Sequence, residues 1–283
     1  MRPSRKLALE WIEKLREQNY PETTLKTYKS EILQAIKFGE SHNWPDNPKK
    51  WEASHAQEYQ RHVKKYRTST QMGYMMVMLL FLEHVGLSWP EKFRLRIKVT
   101  RSRVRWLEKE QTIAVISSCE DLWTKTLMLI LIYTALRETE LSELKWSEVD
   151  QDHLTVLGKG SKGRRIRLTR QFWEAIEPYM AWRRTIRNEF FMLHPARNGH
   201  PVGPYTDDGI YSAIHCHGKR IGISLDVHTF RRSCLRDLYF AGMSLPEIQR
   251  FAGHERVETT IQYLGLKDSD LDNSVDKFQP RYH

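Results

Sequence analysis

Near its C-terminus the chain reads His228-Thr229-Phe230-Arg231, then Gly253-His254, and nine residues further on Tyr263. On a helix, the i, i+3 spacing of His228 and Arg231 puts both on one face. A guanidinium has no lone pair to offer a metal, and its planar fork matches phosphate oxygens, so the pair suits an anion. A tyrosine hydroxyl becomes a nucleophile when a neighbour takes its proton. Upstream, Ala135-Leu136-Arg137-Glu138-Thr139-Glu140-Leu141 and Gly158-Lys159-Gly160-Ser161-Lys162-Gly163 add a guanidinium, a carboxylate and two lysines. Each fragment alone is common. In this order, Arg, Lys, His-x-x-Arg, Gly-His and Tyr form a phosphate-handling set with one nucleophile.

On these motifs, residues 106–265 resemble the tyrosine recombinases, the family of phage integrases, Xer-type recombinases and transposon resolvases. Residues 1–105 follow that family in general pattern only. With a DNA phosphodiester among these groups, Arg137 and Arg231 could clamp the two non-bridging oxygens and His254 could add a third donor. His228 could accept the proton of Tyr263 or orient the phosphate. Lys159 could protonate the leaving 5′-oxygen; Lys162 competes for that role, but Lys159 falls at the family position. Glu140 could buttress an arginine from behind. The product would be a 3′-phosphotyrosyl link, which needs neither ATP, cofactor nor metal. The resemblance implies the same roles at these positions. One departure is Ala252 before Gly253-His254, where the family often has leucine; it touches packing and not chemistry.

The resemblance implies an integrating, excising or resolving recombinase acting on paired core sites in double-stranded DNA, as a homo-tetramer built from a monomer or dimer per site. A type I topoisomerase would use the same chemistry without strand exchange. A non-catalytic DNA-binding protein would use the cations alone, and the intact nucleophile set argues against it.

These residues must be held by a fold, and the chain of 283 residues is long enough for two domains. The formal net charge of +10 implies a polyanionic partner. The excess is segregated: residues 1–105 carry 21 Lys+Arg against 11 Asp+Glu, and residues 106–283 carry 24 against 24. Much of it sits in the stretch 91–105, where Arg94, Arg96, Lys98, Arg101, Arg103 and Arg105 follow one another with no acid between Glu91 and Glu108. That pattern reads as a basic linker lying along a phosphate backbone. Cys119, Cys216 and Cys234 are scattered and lack zinc spacing, and His215-Cys216-His217 has no partner pair nearby, so no metal site is expected. The cysteine usage, the absence of a leader pattern and the shortness of the apolar runs point to a cytoplasmic protein with no membrane partner, and the resemblance implies association with the nucleoid.

The periodicity predicts a mainly helical protein with a small β-hairpin, an α+β arrangement. A helical core-binding domain over 1–90 precedes the linker 91–105, a catalytic domain over 106–265 and a tail over 266–283. Helices are expected at 5–18, from Glu22, from a capping box at Ser54-His55-Ala56-Gln57, and from Thr68 to near Gly86, with the methionines at 72, 75, 76 and 78 filling the core. In the second domain a helix ends near Ser118, and Asp121 caps an apolar helix leading to Arg137. A helix follows over 138–145, and strands at 153–157 and 164–168 flank the Gly-Lys turn. Helices over 171–187 and 206–220, with a short strand at 190–193 between them, lead to the His228 helix capped by Asp226. Ser244-Leu245-Pro246-Glu247 opens the next helix, Gly253 stops it, and Tyr263 rides on a helix over 257–264. In the tail, Leu271, Val275 and Phe278 form a narrow apolar stripe on an otherwise acidic segment, a helix that must dock on its own domain or on a neighbour.

Overall fold

A computed structural model describes residues 2–87, 106–156, 163–196, 202–266 and 270. Contacts divide the chain into two compact units, Met1–Ser102 and Arg103–His283. The basic stretch 91–105, the segment with Lys159 and Lys162, and the tail apart from Leu266 and Asp270 lie outside the described residues.

The first unit is four helices: α1 (Pro3–Glu17), α2 (Glu22–Ser41), α3 (Ala53–Val63) and α4 (Thr68–His84). Trp11, Ile12, Leu25, Ile32, Ile36, Tyr59, Met75, Met78 and Phe81 close its core. Gly39 lets α2 approach Trp44, whose ring would lie 2.6 Å from an added Cβ. Two expectations need correction. The third helix starts two residues early: Glu52 is its N-cap and its backbone N–H donates to His55 Nδ1, so Ser54 lies inside the first turn. Only Met75 and Met78 fill the core; Met72 and Met76 are exposed, because the i, i+4 pair lies on the opposite face of α4.

The second unit packs α5 (Lys109–Ser117), α6 (Leu122–Thr134), α7 (Glu138–Ser142), α8 (Arg170–Arg183), α9 (Asp207–Arg220), α10 (Val227–Phe240), α11 (Leu245–Ala252) and α12 (Val257–Leu264) with two small antiparallel pairs. Strands β1 (His153–Val156) and β2 (Arg164–Arg167) form the expected hairpin, with Leu154 opposite Ile166 and both turned inward. The helical core with a small hairpin agrees with the α+β expectation. Apolar α6 is central, flanked by α8, α9 and α10 and closed by Leu127, Leu131, Phe172, Ile176 and Phe230.

Three boundaries differ from the periodicity. α7 ends at Ser142 rather than 145, because Lys145 bridges to Phe190 and Trp146 N–H donates to Glu189 O at 2.7 Å. α8 ends at Arg183 rather than 187: that buried guanidinium donates to the carbonyls of Ile186, Asn188 and Phe191, which folds the chain back over it. The short strand expected at 190–193 is β3 (Leu193–His194), paired with β4 (Gly203–Pro204). Among the described residues no helix is long and apolar enough to cross a membrane, and no group of three or more His, Cys, Asp or Glu is placed to hold a metal ion.

Candidate active site

The site assembles at the ends of six elements, α6, α7, β2, α10, α11 and α12. α6 terminates on Ala135, which adopts a left-handed conformation (φ 49°) with no exposure. A non-glycine residue there is strained by roughly 1–2 kcal/mol. The turn aims the Ala135 carbonyl at the Arg231 guanidinium, which donates to it through Nη1. Two residues later Arg137 is the N-cap of α7. Its backbone N–H donates to Glu140 Oε2 at 2.7 Å and its Nη1 to Glu140 Oε1 at 2.6 Å, while Nη2 reaches Gly253 O at 2.8 Å. The side chain of Arg137 remains 39% exposed, the most open of the cations around Glu140.

Glu140 is the hub. Besides Arg137, its two oxygens accept Arg164 Nη1 at 2.9 Å and Nη2 at 2.7 Å, a planar two-bond fork, and Arg231 Nη1 stands 3.9 Å away. Burial alone would raise this carboxyl, but the hydrogen bonds and charge of Arg164, then Arg137, overcome it and hold it at about 2. Glu140 therefore buttresses the arginines as expected. Arg164 is the residue the sequence reading missed: its place on β2 beside the lysine turn marked it only as hairpin charge. Its side chain is 9% exposed and lies against Gly253.

Asp226 caps α10 as read, accepting Thr229 N–H at 2.6 Å through Oδ1. The first turn of α10 presents His228 outward and Arg231 inward. Arg231 is wholly buried; Nη2 donates to Ala252 O at 2.5 Å and contacts His254 Nε2 at 3.1 Å, and Nε has no hydrogen-bond partner among the described residues. Burial, and next the charge of Arg137, lower its pKa, with Glu140 opposing. Arg137 and Arg231 thus share one carboxylate, but only Arg137 reaches solvent in this arrangement. Ala252, the departure from the family pattern, is fully buried and supplies the carbonyl that holds Arg231.

α11 stops at Gly253 (φ 65°), whose left-handed turn swings His254 into the interior. Burial first, then the charges of Arg231, Arg137 and Arg164, drive the His254 imidazole down to about 4. It is neutral at pH 7. Because a guanidinium can only donate, Nε2 accepts from Arg231, and the inferred tautomer carries its proton on Nδ1, toward Thr260 Oγ1 at 3.0 Å. The expected third donor therefore faces Arg231 here, and must part from it before it can donate elsewhere.

Thr260 and Leu264 anchor α12 inward and leave Tyr263 half-buried on the outer edge. Its Oη lies 3.1 Å from His228 Nδ1, its ring 4.9 Å from the His254 ring, and the Arg232 guanidinium stands 5.3 Å from its centroid. Removal from water lowers His228, Asp226 opposes it, and Arg232, Arg231 and Arg137 lower it further; a neutral imidazole can accept a proton. Tyr211, exposed on α9, stacks instead on His215 of the same helix. The structure thus brings Arg137, Glu140, His228, Arg231, His254 and Tyr263 together. Lys159 and Lys162 lie outside the described residues; Val156 and Arg164, which flank them in sequence, are paired across the hairpin, and Arg164 bonds Glu140.

Known proteins resemble this chain in sequence and in fold. A model of the phage integrase family matches residues 105–270. Tyrosine recombinase XerA of Pyrococcus horikoshii is 24% identical over 183 residues, 64% of this chain and 63% of that protein. Transposase A from transposon Tn554 of Staphylococcus aureus is 23% identical over 215 residues, 71% of this chain and 60% of that protein. The matches therefore span somewhat under two thirds of those relatives. In three dimensions a lambda integrase dimer bound to a COC′ core site superposes with a TM-score of 0.72 at 17% identity, covering 92% of this chain and 76% of that one, which establishes a shared fold. With the matched model spanning more than half its length, this chain belongs to the phage integrase family of tyrosine recombinases.

Proposed function

We propose that this protein is a site-specific DNA recombinase that cuts and rejoins strands through a 3′-phosphotyrosyl intermediate. The observation that carries the reading is the Tyr263 hydroxyl, 3.1 Å from a neutral imidazole and beside a cluster of guanidinium groups. His228 takes the Tyr263 proton as Oη attacks phosphorus. Arg137, already open to solvent, meets one non-bridging oxygen. Arg231 meets the other by turning Nη2 away from Ala252 O and His254 Nε2, and His254 donates from Nε2 once its proton has moved there from Nδ1. Glu140 and Arg164 hold the cluster from behind. Lys159 hands a proton to the departing 5′-oxygen, so the phosphodiester bond energy is kept in the tyrosyl ester and no ATP is required.

The partner is double-stranded DNA carrying paired core sites. The helical unit and the basic stretch 91–105 grip the duplex, and four copies assemble for exchange. Such a protein works at the nucleoid. The relatives named as recombinases and a transposase, and the lambda integrase dimer on its core site, support this reading over strand relaxation alone.

Sequencing DNA covalently captured by the protein from host and element DNA identifies the site. On the captured duplex, Tyr263→Phe binds as the parent does but gives no adduct on a denaturing gel. An adduct that survives in Tyr263→Phe overturns the assignment, and full-length protein that relaxes supercoils without joining two sites establishes a topoisomerase instead.

A further inference from the structure

α10 does more than present His228 and Arg231. Positions 228, 232 and 236 recur every four residues, so they form one stripe along the helix. Each meets the same stretch of α12. His228 Nδ1 faces the Tyr263 hydroxyl, Arg232 stands over the Tyr263 ring, and Arg236 Nη1 donates to the carbonyl of Leu264, the next residue, at 2.8 Å. α12 has eight residues, too short to hold its shape alone. It has no side-chain cap at its start, and its last turn ends on Gly265 in the left-handed region. The final carbonyls of a helix need partners and favour a cation, and Arg236 supplies both.

Arg236 is itself built in. It is 6% exposed and lies 4.4 Å from the Trp106 ring centroid and 4.6 Å from that of Phe240. Nη2 is 3.4 Å from both carboxylate oxygens of Asp270, and Nε has no hydrogen-bond partner among the described residues. Trp106 also packs on Gly265, where an added Cβ would meet its ring at 2.7 Å. Leu107, next along the chain, donates from its backbone N–H to Ser233 Oγ of α10 at 2.8 Å. The Asp270 carboxylate and the Leu264 carbonyl together offset the cost of burying this guanidinium, so the carbonyl is held by a paired and packed cation.

We propose that Arg236 is a positioning residue for the nucleophile: by fixing the last turn of α12 along α10 it sets the Tyr263 hydroxyl at His228. The inference rests on Tyr263 being the nucleophile. Arg236 touches neither phosphate nor Tyr263 Oη. Its loss acts through the tyrosine and leaves the phosphate-binding groups where they are.

The experiment compares Arg236→Met, which keeps apolar packing on Trp106 and Phe240 but removes the donors, with Arg236→Lys, which keeps a cationic donor. Both are full-length, on the duplex captured by the parent. Single-turnover adduct formation is measured beside single-site affinity. Arg236→Met is expected to slow adduct formation about tenfold to a hundredfold with affinity within about twofold of the parent, since small misplacements of a reacting atom have effects of this size. Arg236→Lys should recover a clear part of the rate. Parent-like adduct formation by Arg236→Met overturns the proposal. So does loss of affinity in step with rate, which marks a general structural role, or a lysine variant no better than methionine. Tyr263→Phe, run alongside, reports separately on the nucleophile: an adduct there overturns that assignment whatever the Arg236 variants do.

Discussion

At the scale of single residues, the site is organised by unequal exposure of like charges. Three guanidinium groups surround one carboxylate, yet Arg231 is fully buried, Arg164 is nearly so, and Arg137 is open. Burying cations together is tolerable because Glu140 and the carbonyls of Ala135, Ala252 and Gly253 take their donors. The resulting positive field has a consequence for catalysis. It adds to the partial desolvation of the outward-facing His228 in holding that imidazole below the ordinary histidine range. A base with a lowered pKa stays unprotonated to lower pH, so the acid limb of adduct formation lies below about pH 6.5. Single-turnover rates measured across that range check it. His228→Gln should lower the plateau about 100-fold and remove the limb; a limb at or above the ordinary histidine value overturns the proton-acceptor role.

At the scale of elements, one turn and one strand end do the positioning. Gly253 turns α11 into His254 in the left-handed region while its carbonyl holds Arg137 and its Cα lies against Arg164. A Cβ there would stand 2.8 Å from Arg164 Nη1 on a backbone that L side chains rarely adopt. Gly253→Ala should therefore destabilise the protein by about 1–2 kcal/mol and slow cleavage more than it weakens DNA binding. Urea midpoints and adduct rates measured together test this, and an unchanged midpoint contradicts it. The second is the start of β2, which Arg164 fixes to Glu140 through both Nη atoms. With Lys159 as the proton donor, a 5′-bridging phosphorothiolate restores cleavage by Lys159→Ala, because sulfur leaves without a proton. Rescue of Lys162→Ala alone would move the role to the second lysine.

At the scale of the whole molecule, charge is divided by region. Residues 106–283 are balanced overall and gather three guanidinium groups around Glu140, while the first 105 residues carry the whole net excess. Affinity for any duplex should therefore reside largely in the first third and the basic stretch. Replacing Arg94, Arg96, Lys98 and Arg101 with neutral residues should weaken binding across sequences. The slope of log affinity against log salt should flatten by up to about 0.9 for each phosphate no longer neutralised. Titrations at several salt concentrations on specific and random duplexes check it; a change confined to one base position would mean that these side chains read sequence.

The amino-acid sequence by itself determined the chemical inventory and the local framework. Asp121, Asp226, Ser244 with Glu247, and Gly253 act where they were read, because caps and left-handed stops depend on a few neighbouring residues. The boundaries that moved, at Ser142, Arg183 and Leu193, moved because distant backbone groups claimed those residues. Tertiary structure alone decided which cations face water. Arg137 and Arg231 are alike in sequence, but one caps a helix at the surface and the other lies under Ala135 and Ala252. It alone also made Arg164 and Arg236 part of the site, since their partners are 24 and 28 residues away and no spacing rule links them. Periodicity shows which face of an element a side chain occupies, and only packing determines what that face meets.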